Sequence, residues 1–180
     1  MELETRRLLL RPLRDDDAIA MAQALNNFNV SRNLARVKFP YAVQDAQTFI
    51  DLQRTFDLRS AICAITFRAA PDELIGMVTY EYDEKNPAPE LGYWLRECCW
   101  NMGIMSEAAT ALAGYAFTQG GVDALRSGYH IDNPNSGRIL RRLGFVELDQ
   151  EMNFSLAQNK EIPVMKLRLT RESWLAGPSA

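Results

Sequence analysis

Apolar positions along this chain fall into two spacings, and the changes between them mark out the elements. Residues 8–10 are three leucines halted by Arg11-Pro12, which predicts a first strand ended by a turn. Asp15, Asp16 and Asp17 then stand where a helix start favours negative charge. Ala18, Ile19, Met21, Ala22 and Leu25 supply a one-sided apolar face behind them. Asn26-Asn27-Phe28-Asn29 breaks that helix. Residues 30–41 read as a short helix followed by a turn at Phe39-Pro40-Tyr41, and Ala46, Phe49, Ile50 and Phe56 mark a helix over 45–58. Residues 61–67 and 74–82 form a hairpin pattern around Pro71-Asp72, and the proline-interrupted stretch 83–89 reads as a surface loop. A strand follows over 90–95 and a helix over 106–119, which Gly120-Gly121 stops. Residues 124–131 return as a strand, Pro134 opens a helix that Gly144 ends, and 147–156 with 162–169 close the chain as a hairpin.

The resulting order, β-α-α-β-β-β-α-β-α-β-β, predicts an α+β domain with one mixed, mostly antiparallel sheet of about seven strands and helices on both faces. Residues 1–176 are read as one domain and 177–180 as a frayed tail.

Composition narrows the function classes. The 180 residues are 47% hydrophobic and 24% charged, enough to bury a core in one domain. A net charge of −3 gives no footing for nonspecific nucleic-acid binding. No apolar run approaches the roughly 20 residues that span a bilayer, and the first residues lack a signal-peptide pattern, so no membrane partner and a cytoplasmic location are expected. Three cysteines, Cys63 and the adjacent Cys98 and Cys99, form neither a disulfide nor a zinc framework, and no metal is expected.

The stretch that organises the rest is 90–109, where a strand hands over to a helix through Trp100-Asn101-Met102-Gly103-Ile104-Met105. The first N–H groups of a helix have no internal partner and sit at the positive end of its dipole, so such a turn favours an anion. Gly103, without a Cβ, is where a phosphate approaches the main chain most closely. A plain connection has the same spacing. Support comes from downstream, in Asp132-Asn133-Pro134-Asn135-Ser136-Gly137-Arg138 through Arg141-Arg142-Leu143-Gly144-Phe145.

At these residues, together with Gly92-Tyr93-Trp94-Leu95 and Gly103-Ile104-Met105-Ser106, the chain resembles the GNAT superfamily of acetyl-coenzyme A dependent N-acetyltransferases. It looks most like the RimJ/RimL-like branch. The opening Leu3-Glu4-Thr5-Arg6-Arg7-Leu8-Leu9-Leu10-Arg11-Pro12 and the closing Met165-Lys166-Leu167 extend the likeness over nearly the whole chain. The resemblance implies an acetyl transfer from acetyl-CoA to a primary amine acceptor, either a protein N-terminus or a small molecule, by direct attack in a ternary complex. It is silent on which acceptor, and monomer and homodimer both remain open.

Such a transfer must hold a long cofactor, present a neutral amine, and stabilise an oxyanion and a leaving thiolate. The diphosphate is assigned to main-chain N–H groups of Met102, Gly103, Ile104, Met105 and Ser106. By resemblance, the main chain of Trp94 and Leu95, with Arg96 beside them, meets the pantetheine arm. Asn133 meets its neighbourhood, and Arg138 or Arg142 meets the 3′-phosphate; Asn133 as a helix cap and the arginines as a solvated face are equally ordinary roles. Ser136 is the candidate acid for the thiolate, with a helix-start cap as its other reading. Glu90 is the candidate base, acting through a water, or an exposed carboxylate beginning a strand. An α-amino group also loses its proton readily enough to need no base. His130, the one histidine, titrates in a useful range for a base, but it alternates with Arg126 and Gly128 and also reads as facing away from the core, at the surface or packed against a helix. Trp100 stands where the family loop usually has Gln or Arg, and Met105 where it has Gly or Ala. A cysteine nucleophile at Cys98 or Cys99 lacks a base partner, so both read as small buried hydrophobes, and Gly103 lacks the Lys-Ser/Thr pair of a phosphoryl-transfer loop. A non-catalytic acyl-CoA-binding module and a cofactor-free interaction domain are the competing classes.

Overall fold

The computed structural model describes residues 1–55, 59–83 and 86–177. The strands are β1 (Leu3–Glu4), β2 (Leu8–Arg11), β3 (Ala61–Phe67), β4 (Gly76–Asp83), β5 (Asn86–Leu95), β6 (Ala124–His130), β7 (Val146–Ser155) and β8 (Lys160–Thr170). The helices are α1 (Asp17–Leu25), α2 (Phe28–Ser31), α3 (Val43–Gln53), α4 (Ile104–Thr118), α5 (Pro134–Arg142) and α6 (Arg171–Ala176), with a 3-10 turn at Glu97–Cys99.

The eight strands form one sheet in the order β1-β2-β3-β4-β5-β6-β8-β7. All neighbours are antiparallel except β5 and β6, which run parallel and are in register at a single pair, Glu90 with Arg126. A parallel pair held at one point splays beyond it. Here the splay runs toward Leu95 on one strand and His130 on the other, opening the middle of the sheet.

Period-two alternation sends side chains to two separate cores. Val78, Leu91, Leu95 and Leu125 pack with Ile104, Ala108, Leu112 and Leu140 of α4 and α5 on one face. On the other, Met77 and Trp94 pack with Met21 and Leu25 of α1 and Ile50 of α3. The sheet therefore carries helices on both faces, as the α+β reading predicts.

Several boundaries differ from expectation. The sheet has eight strands rather than about seven, because Leu3–Glu4 forms a short edge strand against β2. Residues 86–89 belong to β5 rather than a loop, since antiparallel pairing with β4 resumes at Asn86 despite two prolines. The helix α4 starts at Ile104, two residues before Ser106, and α6 was not foreseen. Phe56 and residues 178–180 lie outside the described residues.

The last polar device in the frame is buried. Arg11 on β2 makes two 2.8 Å bonds to the Asp17 carboxylate at the start of α1, and both side chains are almost wholly enclosed. Two more of its donors reach the carbonyls of Pro71 and Pro12, and Asp17 also accepts the Arg14 N–H. Four of the five guanidinium N–H groups are thus used, which offsets much of the cost of burying the pair.

Candidate active site

The loop between β5 and α4 is shaped by two left-handed residues, Asn101 at φ 60° and Gly103 at φ 71°. Gly103 is the α4 N-cap, and no side chain caps the helix. Among the described residues, none of the backbone N–H groups from Asn101 to Ser106 donates to a protein acceptor; the first to do so is Glu107, to the Gly103 carbonyl. A run of unpaired amides at a helix N-terminus is a ready anion site. A Cβ built at Gly103 would find only the Arg7 Nη2 within 4 Å, at 3.6 Å, so the approach to the main chain is open there.

The loop is braced from about a hundred residues away. Arg7 gives Nη1 to the Met102 carbonyl at 2.9 Å and Nε to Glu107 Oε2 at 2.7 Å, while the Thr5 hydroxyl and the Arg7 N–H donate to Glu107 Oε1. Burial works to raise the Glu107 carboxyl, but these hydrogen bonds and the Arg7 charge outweigh it and hold the group below its ordinary range. Trp100 gives its indole N–H to the Leu95 carbonyl at 3.1 Å, tying the loop to the end of β5. The residue that departs from the family pattern thus acts as a staple rather than as an anion ligand.

From this loop a cavity of about 680 Å³ runs along β5, through the β5/β6 splay and under α1 and α3. Its wall brings together most of the expected site: Glu90, Trp94, Leu95, Gly103, Ile104, Met105, Ser106, Asn133, Ser136, Arg138 and Arg142. Arg96 is not on it. The Arg96 N–H is taken by the Ile75 carbonyl and its guanidinium turns to Glu73 at 3.3 Å. Met102 is also off the wall, its side chain exposed and its carbonyl held by Arg7. Asn133 takes its capping reading, its Oδ1 accepting the Ser136 N–H at 3.4 Å at the start of α5, and the residue also lines the cavity. Arg138 is turned back to Asn135 Oδ1.

Ser136 has a partner that its own sequence neighbourhood does not announce. The Tyr93 hydroxyl lies 2.9 Å from Ser136 Oγ and 3.3 Å from the Ser136 carbonyl. Burial pushes the Tyr93 phenol well above its usual range, only partly offset by the bond to Ser136, so it stays protonated. The carbonyl contact fixes the phenol as donor. In the contact with Oγ either hydroxyl can donate, so the two share one short hydrogen-bonded unit.

His130 takes the packed reading and not the outward one: it is 4% exposed and on the cavity wall, with the Arg32 backbone at the end of α2 against it. Its Nδ1 has no hydrogen-bond partner, and burial lowers its pKa despite the opposing pull of Asp132. It is a neutral group at physiological pH. Cys99 is buried with its thiol pushed up to about 11, first by burial and then by the Cys98 bond, and Cys63 reaches about 12 by burial. Neither is a thiolate near neutrality. Cys98 is exposed, unlike the buried role expected of it. Among the described residues no three His, Cys, Asp or Glu gather to hold a metal, and no helix is long and apolar enough to cross a membrane.

Sequence reasoning named the serine but not the tyrosine, the Arg7 brace, or Glu81, which faces Glu90 across β4 and β5 and also lines the cavity. Strand register was the missing information for Tyr93 and Glu81. Arg7 and Glu107 stand a hundred positions apart with no local signal.

A mixed sheet split at one parallel pair, with an open helix N-terminus at the mouth of the split, defines an acyltransferase-type fold. The chain belongs to the acetyltransferase (GNAT) domain family, which matches residues 7–146, and it is an N-acetyltransferase. It is 31% identical over 150 residues to the uncharacterized N-acetyltransferase YoaA of Bacillus subtilis (strain 168), covering 79% of this chain and 81% of that protein. It is 36% identical over 76 residues, 42% of each chain, to a ribosomal-protein-serine acetyltransferase of Escherichia coli (strain K12). The fold matches that of RimL, a ribosomal L7/L12 α-N-protein acetyltransferase solved with coenzyme A, at a TM-score of 0.79 and 19% identity, over 94% of this chain and 98% of that one. These likenesses agree with a RimJ/RimL-like branch.

Proposed function

We propose that this protein transfers the acetyl group of acetyl-CoA to a primary amine by direct attack in a ternary complex. The observation that carries the reading is the run of unpaired amides from Asn101 to Ser106, set at one end of a cavity whose wall also holds Ser136 and Glu90. Acetyl-CoA supplies a diphosphate for those amides and an acetyl group on a thiolate leaving group. The fit rests on the open main chain at Gly103 and on the Arg7 cation 3.6 Å from where a Cβ would stand.

The residues divide the work. The Gly103–Ser106 amides and the α4 dipole hold the diphosphate, and Asn133 and Arg142 line the channel beyond. Glu90 takes the proton of the incoming ammonium through a water. The amine nitrogen bonds to the acetyl carbon as the carbon–sulfur bond breaks. Ser136 gives its proton to the departing sulfur and recovers one from the second N–H of the attacking nitrogen, while Tyr93, whose phenol is kept neutral by burial, holds the serine hydroxyl in place.

The test is calorimetric titration with acetyl-CoA followed by CoA-thiol release on a panel of amines that includes a free-N-terminus peptide. Binding in the micromolar range with turnover on at least one amine is expected. Binding without turnover on any amine, or no binding at millimolar acetyl-CoA, overturns the reading.

A further inference from the structure

The face of β4 and β5 that looks toward α1 and α3 changes character rung by rung. Register sets Glu81 opposite Glu90, then Thr79 opposite Gly92, then Met77 opposite Trp94. All six line the cavity. Directly opposed residues of an antiparallel pair project to the same side, so the wall passes from two carboxylates, over a rung with almost no side chain, to two large apolar groups. At about 3.4 Å per residue, the charged rung and the apolar rung stand roughly 14 Å apart.

The charged rung is under-compensated. Like charges directly across an antiparallel pair repel. Glu81 accepts the Thr79 hydroxyl at 3.1 Å and pairs with Arg36 at 3.0 Å, but Arg36 is 78% exposed, where ion pairs contribute little. Glu90 has no ion pair among the described residues, because the neighbouring Arg126 turns to the Ala88 carbonyl and Asp83. A cation between the two carboxylates relieves both.

The apolar rung is roofed by Leu25 and Tyr41. Burial pushes the Tyr41 phenol up to about 12, so it adds no charge. The Trp94 indole Nε1 is buried there without a hydrogen-bond partner. Between the rungs, Gly92 leaves a gap in the floor: a Cβ built on it would meet Thr79 Oγ1 at 3.3 Å.

Resting on the acetyl-transfer reading above, we infer that the acceptor is a small free monoamine with an apolar body, its ammonium between Glu81 and Glu90 and its body over Gly92 toward Met77 and Trp94. A polyamine would bring a second charge to the Met77/Trp94 rung, where it has no partner. A peptide N-terminus would bring several backbone polar groups there, of which the single Trp94 indole N–H can pair with one, and the rest are costly to bury unpaired.

The experiment follows CoA release with saturating acetyl-CoA on ethylamine, butylamine, hexylamine, 2-phenylethylamine, spermidine and a free-N-terminus peptide beginning Ser-Ala. The expected kcat/KM rises about threefold for each added methylene, and spermidine and the peptide fall at least tenfold below hexylamine. Gly92→Val fills the floor, so the ratio of hexylamine to ethylamine kcat/KM should drop at least tenfold, with acetyl-CoA affinity measured alongside as the check on the fold. A flat alkyl series, a preference for spermidine or the peptide, or an unchanged ratio in a Gly92→Val protein that binds acetyl-CoA overturns the inference and leaves acetyl transfer standing. Acetyl-CoA binding with no release on any amine overturns both.

Discussion

The Tyr93 hydroxyl and Ser136 Oγ, 43 positions apart, meet at 2.9 Å across the gap between β5 and α5. The pair predicts a particular pattern of kinetic loss. Ser136→Ala should lower kcat roughly 100-fold, the low end for a positioned acid, with acetyl-CoA affinity within about threefold. Tyr93→Phe should lower kcat about tenfold, and the double variant should be no worse than Ser136→Ala alone, since the tyrosine acts through the serine that it holds. Strictly additive losses would separate the tyrosine from the serine.

The amide run at α4 predicts a charge effect. Gly103→Asp sets a carboxylate against the diphosphate in a left-handed position that Asp tolerates better than most residues. Acetyl-CoA affinity should fall at least 100-fold by calorimetry, with the far-ultraviolet circular dichroism unchanged. Retained affinity would move the diphosphate elsewhere.

The Arg11–Asp17 pair predicts a stability effect far from the chemistry. Arg11→Met leaves a buried carboxylate unpaired and should cost about 3–5 kcal/mol in urea unfolding. Adding Asp17→Leu should recover much of it, because an apolar pair of similar volume carries no desolvation cost. A double variant as weak as the single one would contradict this account.

His130 predicts a pH dependence. Its folded-state pKa lies below the ordinary value near 6.5, so the unfolded chain takes up a proton first as pH falls. Its effect is absent above about pH 6.5 and becomes destabilising as pH drops from there through the lowered folded value. Relative to His130→Gln, the wild-type Tm should therefore decline between pH 7.5 and pH 5. A pH-independent difference between the two proteins would remove the histidine from the acid response.

Much of the scaffold was legible in the sequence because it is local. The strand at Ala61–Phe67, the proline-started α5 and the glycine-capped turn into α4 each follow from periodicity or turn chemistry within a few residues. The candidate site was legible where it depends on main chain, as in residues 103–106, and on a helix cap, as at Asn133. What escaped depends on register or on contacts remote in sequence. Asp17 read as a helix-start charge, and only tertiary packing makes it the buried partner of Arg11. His130 read as outward because alternation tells one face from the other without saying what packs against each. The prolines in 83–89 argued for a loop, yet neither Pro87 nor Pro89 prevents β5 from pairing with β4 around them.

The clasp between the N-terminal turn and α4 bears on the order in which the molecule assembles. Arg7 reaches Met102 and Glu107 across 95 and 100 intervening steps of chain, so the mouth of the proposed diphosphate cradle takes its final shape only after a very long loop has closed. Contacts of such separation form late, and a refolding chain should regain its helices and inner strands before it regains any grip on its nucleotide.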